Sequence, residues 1–72
     1  MISADQRNTL GICIFAWNEE DHIEDTLGSV TAWQNHTGKI SEIVVVDDGS
    51  QDNTGFLVKQ ATTANSSIQL IE

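Results

Sequence analysis

Two short stretches of this sequence hold side chains suited to chemistry: Phe15-Ala16-Trp17-Asn18-Glu19 and Asp47-Asp48-Gly49-Ser50. Together they offer the broad aromatic face of Trp17 beside the carboxylates of Glu19, Asp47 and Asp48. That combination suits a nucleoside better than a phosphate. An indole ring stacks a base, and a carboxylate accepts a hydrogen bond from a base imide N–H or a ribose hydroxyl. Carboxylates repel a diphosphate unless a divalent cation bridges the two, so metal dependence follows as an expectation. Trp17-Asn18-Glu19-Glu20 contains no glycine, which excludes the Gly-x-Gly-x-x-Gly turn of dinucleotide-binding domains, and a phosphate-cradling loop with its lysine is also missing.

The elements that would carry these residues are legible in the hydrophobic pattern. Leu10 to Trp17 is a continuous apolar run of strand length, and Ile43 to Val46 is a β-branched run that stops at Asp47. Between them Ile23, Leu27 and Val30 recur at helical spacing, with Glu19, Glu20 and Asp21 placed where negative charge favours a helix N-terminus. This helix is expected to run to about Trp33, with Gly38 in its exit turn. Ser50 or Asp52 can cap a second helix carrying Leu57, Val58 and Ala61, and Ser67 to Glu72 alternates as a third strand. The order β-α-β-α-β is that of the mononucleotide-binding half of a doubly wound parallel sheet, a fold of the α/β class. Ligands of such sheets bind outside the carboxyl ends of the strands, where both chemical stretches fall.

Two successive right-handed crossovers moving the same way across a sheet put both helices on one face. The opposite face would stay bare, although Ile43 to Val46 has the composition of a strand covered on both sides. At 72 residues the chain is also about half a usual domain, and a protein this small buries only roughly 60% of its unfolded surface. The expectation is a polar leader over 1–9 and, over 10–72, an incomplete domain whose remainder covers the sheet. Eleven acidic residues against three basic ones give a net charge of −8. That balance disfavours nucleic acid and anionic membranes as partners. The N-terminus has neither the basic start nor the apolar core of a signal peptide, and no apolar run approaches bilayer-spanning length, so a cytoplasmic location is expected, with membrane attachment through further segments left open. On that reading the acceptor triplets Asn35-His36-Thr37 and Asn65-Ser66-Ser67 are chance matches.

Ile14-Phe15-Ala16-Trp17-Asn18-Glu19-Glu20 and Val45-Val46-Asp47-Asp48-Gly49-Ser50-Gln51-Asp52-Asn53-Thr54 resemble the paired motifs of the family 2 glycosyltransferases, which have a GT-A fold, a Rossmann-like nucleotide-binding domain. The resemblance extends from Leu10 to the C-terminus. It implies that the full-length enzyme transfers a sugar from a nucleotide-diphosphate donor to an acceptor, whose identity the sequence leaves open. Position by position, it puts Trp17 where the family stacks the donor base, Asp48 where a carboxylate reads the base edge, and Glu19 near the ribose. Asp47 becomes a supporting residue or second contact, and Gly49 and Ser50 shape the turn. Phe15, counted with Trp17, Glu19, Asp47 and Asp48 among the expected nucleotide-binding residues, stands where the family usually has proline, and Trp17 where tyrosine or phenylalanine is commoner. The first change restores a backbone donor and loosens the strand end. The second enlarges the stacking surface. The family's D-x-D-type metal site and catalytic base lie beyond the matched stretch, so no residue of this chain is expected to be catalytic. A divalent cation, Mg²⁺ or Mn²⁺, is expected to have its ligands outside the chain.

Simpler roles are expected elsewhere. Cys13 reads as a buried core thiol, His22 and His36 as solvated, Trp33 as packing a helix end on the sheet edge, and Asp52 and Thr54 as capping residues. Two alternatives accompany the transferase reading. One is a non-catalytic remnant or nucleoside-binding module. The other is a phosphotransfer domain with Asp47 and Asp48 as an acidic Mg²⁺ pocket, which suits their position poorly, since a strand and a helix precede them.

Overall fold

The computed structural model describes residues 9–72, so the leader expected over 1–9 lies outside the described residues apart from Thr9. The order is β1 (Leu10–Ala16), α1 (Ile23–Thr37), β2 (Ile40–Asp47), α2 (Thr54–Ala64) and β3 (Ile68–Ile71). All three strands run parallel in the order β1-β2-β3. This is the β-α-β-α-β arrangement expected, consistent with part of a Rossmann-like GT-A sheet.

Alternation along the strands decides which side chains are buried. On one face Ala16, Ile43, Val45 and Ile68 join Ile23 and Leu27 of α1 and Val58 of α2 in a single buried cluster, with Ile40 at its margin. Both helices therefore lie on this face, as the handedness of the crossovers requires. Burying a side chain of this size fully contributes about 1.5–3 kcal/mol. The other face carries Cys13, Phe15, Gln69 and Ile71 exposed and Val44 and Val46 half-buried. Cys13 is thus an exposed free thiol rather than a core one. An apolar run tells that a strand is present, but its period of two leaves open which face is covered.

Helix α1 starts later and ends later than its sequence pattern indicates. Asn18 turns left-handed at φ 51°, and the Glu19 carbonyl accepts the His22 and Ile23 amides at 2.9 and 2.7 Å, so the acidic stretch forms a turn ahead of the helix. At the other end Gly38 stops the helix at φ 65°, a left-handed conformation that costs glycine little, and its amide closes on the Gln34 carbonyl at 2.9 Å. The helix thus passes Trp33, whose side chain is 48% exposed rather than packed away against the sheet edge. Asn65 fastens the end of α2 to α1, its amide donating to Gln34 Oε1 at 2.9 Å and Thr31 Oγ1 at 3.3 Å.

Candidate functional site

The parallel register sets Phe15 beside Val46 and Ala16 beside Asp47, so β1 and β2 end level with one another. Just past these ends lies a hollow of about 430 Å³ lined by Phe15, Ala16, Trp17, Glu19, Val46 and Asp48. Phe15 and Trp17 are 79% and 62% exposed, so each presents an accessible aromatic surface to it. Sequence reasoning named Phe15, Trp17, Glu19 and Asp48 as contacts, and the fold brings all four to this one place.

Asp47 goes elsewhere. It ends the strand on the helix face, is only 6% exposed, and accepts the Ser50 amide on Oδ1 at 3.1 Å. Its Oδ2 lies close to Gly55, where a Cβ would come within 3.0 Å of it. Its carboxylate therefore shapes the turn into α2 and is not among the groups that line the hollow, an arrangement that suits the supporting role expected for it rather than the second contact. Asp47 is buried toward the helices whereas Asp48, just past the strand, is exposed and lines the hollow, so the two carboxylates do not converge on one cation. Among the described residues no group of three or more His, Cys, Asp or Glu side chains is arranged to hold a metal ion. The acidic pair is thus unsuited to the Mg²⁺ pocket of a phosphotransfer domain, and no step is assigned to a metal on these residues.

The segments bearing the site are laced together by hydrogen bonds that sequence reasoning missed. Asn18 N donates to Ser50 Oγ at 2.9 Å, and Asn18 Oδ1 accepts Gln51 N at 2.8 Å. Glu19 N donates to Thr54 Oγ1 at 2.8 Å and Glu20 N to Asp52 Oδ2 at 3.2 Å. Thr54 is wholly buried at the start of α2, and both its amide and its hydroxyl donate to Asp52 Oδ1. Burial pushes the Asp52 carboxyl up, but the bonds from the Thr54 hydroxyl and amide and from the Glu20 amide outweigh this and hold it below its ordinary value. Of the two caps foreseen for α2, Asp52 does bind the Thr54 amide, whereas the Ser50 hydroxyl serves Asn18. Gly49 turns the chain at φ 75°, a conformation that a side chain would strain.

The family model of Glycosyl transferase family 2 matches residues 11–72, taking in both strand ends and both loops. The chain belongs to the family 2 glycosyltransferases. It is 34% identical over 67 residues to the poly-beta-1,6-N-acetyl-D-glucosamine synthase of Staphylococcus aureus (strain MSSA476), a match covering 93% of this chain and 16% of that protein. It is also 32% identical over 62 residues to glycosyltransferase AglE of Haloferax volcanii, over 86% of this chain and 20% of that protein. The chain of this family 2 member therefore spans about a sixth to a fifth of the length of these curated relatives. No solved structure matches it. No helix among its described residues is long and apolar enough to cross a membrane.

Proposed function

We propose that the hollow at the ends of β1 and β2 holds the nucleoside of a nucleotide-diphosphate sugar, and that the intact protein transfers this sugar to an acceptor hydroxyl. The observation carrying the reading is the convergence of Trp17, Glu19 and Asp48 on one open hollow at the carboxyl ends of parallel strands, where ligands of such sheets bind. Trp17 stacks the base, Asp48 accepts a hydrogen bond from the base edge, and Glu19 accepts one from a ribose hydroxyl. Phe15 extends the apolar wall, and Asp47 supports the turn that presents Asp48.

In the transfer the bond from the sugar's anomeric carbon to the diphosphate breaks, a bond to the acceptor oxygen forms, and the acceptor proton leaves to a base. We assign that base, and the ligands of the divalent cation that would neutralise the departing diphosphate, to chain beyond these residues. On this reading residues 10–72 are the nucleoside-binding part of a larger catalytic domain, and the bare sheet face around Cys13, Val44, Gln69 and Ile71, clear of the hollow, is the seat of its remainder. We place the site in the cytoplasm, with attachment to a membrane through other segments compatible with it.

The test is a transfer assay on the intact protein with a panel of nucleotide-diphosphate sugars, following release of nucleoside diphosphate. Transfer from at least one donor, with Asp48→Ala raising the donor KM by about tenfold or more, is the expected result. An unchanged donor KM in Asp48→Ala would remove Asp48 from the site.

A further inference from the structure

Trp17 and Asp48 lie on separate loops, and a site built from both works only if the loops keep a fixed relation. On the strand side that relation is held by the Asp48 amide, which donates to the Ala16 carbonyl at 3.0 Å. On the outer side the bond from the Glu19 amide to Thr54 Oγ1 at 2.8 Å is joined by a residue that makes two. Asn18 gives its amide to Ser50 Oγ at 2.9 Å and takes the Gln51 amide on Oδ1 at 2.8 Å. The two bonds run in opposite senses between the same short segments, so a slide of either loop along the other breaks both. Glu20 repeats the arrangement more loosely, donating to Asp52 Oδ2 at 3.2 Å and accepting from the Asn53 amide at 3.4 Å.

We infer that Asn18 is a positioning residue of the nucleoside site, setting the span between Trp17 and Asp48 through its paired bonds to Ser50 and Gln51. This rests on the reading of the hollow given above. A plainer role for Asn18 is to tolerate its left-handed φ of 51°, and the two roles call for different side chains. Glycine serves the backbone conformation at least as well but has no oxygen for Gln51. Aspartate keeps that oxygen and also tolerates the left-handed region.

The experiment compares wild type, Asn18→Gly, Asn18→Asp, Ser50→Ala, Val58→Ala and Asp48→Ala in the intact protein. It combines calorimetric titration with UDP, GDP, CDP and ADP in turn, donor KM and kcat, and Tm. Asn18→Gly is expected to weaken nucleotide binding and raise donor KM about tenfold with kcat within about twofold, while Asn18→Asp stays within about twofold of wild type. Ser50→Ala, which leaves Asn18 in place, shifts affinity the same way by about threefold. Val58→Ala, which loosens the core away from the loops, lowers Tm without moving affinity. Wild-type affinity in Asn18→Gly and Ser50→Ala, or an equal loss in Val58→Ala, overturns the positioning role. Asp48→Ala separates the two readings: if it binds like wild type, or wild type binds no nucleotide, the nucleoside site itself falls and the role of Asn18 with it. Weakened binding in Asp48→Ala alone removes only the role of Asn18.

Discussion

The Thr54 hydroxyl joins the two loops at the base of the site, accepting the Glu19 amide at 2.8 Å while donating to Asp52. Thr54 is completely buried, so both bonds are made out of reach of water at that side chain. Thr54→Val keeps the shape and removes the oxygen, leaving the Glu19 amide without this acceptor. It is expected to lower stability by about 1–3 kcal/mol, read by denaturant unfolding of the intact protein. Thr54→Ser, which retains the hydroxyl, is expected to lose less.

Asp47 and Asp48 are adjacent in sequence and divided in role. Asp47→Ala removes the acceptor of the Ser50 amide and is expected to cost about 1–2 kcal/mol of stability. Its effect on nucleotide affinity is expected to be the smaller of the two variants. Asp48→Ala does the reverse, with stability within about 0.5 kcal/mol of wild type and nucleotide affinity reduced about tenfold or more. Parallel unfolding and binding curves check the division, and equal behaviour of the two variants would contradict it.

Acid should weaken the loop junction through Asp52. Its carboxyl titrates below the ordinary value of 3.8 in the folded protein, because the Thr54 and Glu20 bonds overcome the opposing effect of burial. A lowered folded value means that the stabilisation is fully present above 3.8 and is lost as pH falls through the folded value. Asp52→Asn carries no such charge, so its stability is expected to fall less steeply than that of wild type over this acid range. Equal acid slopes in the two proteins would contradict the assignment.

Gly49 holds a backbone conformation that a residue with a side chain adopts only under strain. With φ at 75°, Gly49→Ala meets no steric obstacle from neighbouring atoms, so its cost is conformational alone, about 1–2 kcal/mol. Thermal unfolding of the variant reads that cost directly.

Much of the fold was legible because each strand and helix announces itself locally. The β-branched run of β2 and the spacing of Ile23, Leu27 and Val30 in α1 needed no tertiary information, and the handedness of crossovers then put both helices on one face. The gathering of Phe15, Trp17, Glu19 and Asp48 followed from their places at strand ends. What stayed hidden depends on contacts distant in sequence. The late start of α1 follows from the left-handed turn at Asn18, whose bonds to Ser50 and Gln51 reach across 32 and 33 positions. The exposure of Cys13 depends on which face the helices cover, and the burial of Asp47 toward the helices follows from the same alternation. Asp52 and Thr54 read as ordinary capping residues, and Asn18 carried no assigned role, because nothing near them in sequence identifies their partners.

The central claim is that Trp17 and Asp48 hold a nucleoside, and calorimetric titration of the intact protein with UDP, GDP, CDP and ADP tests it most directly. The titrations are run in Mg²⁺ and again in Mn²⁺, for wild type and Trp17→Ala. The account expects at least one nucleotide to bind wild type and Trp17→Ala to weaken that binding by about tenfold, the loss of one base-stacking surface. Equal affinity in the two proteins, or no nucleotide binding by wild type under either cation, would contradict it.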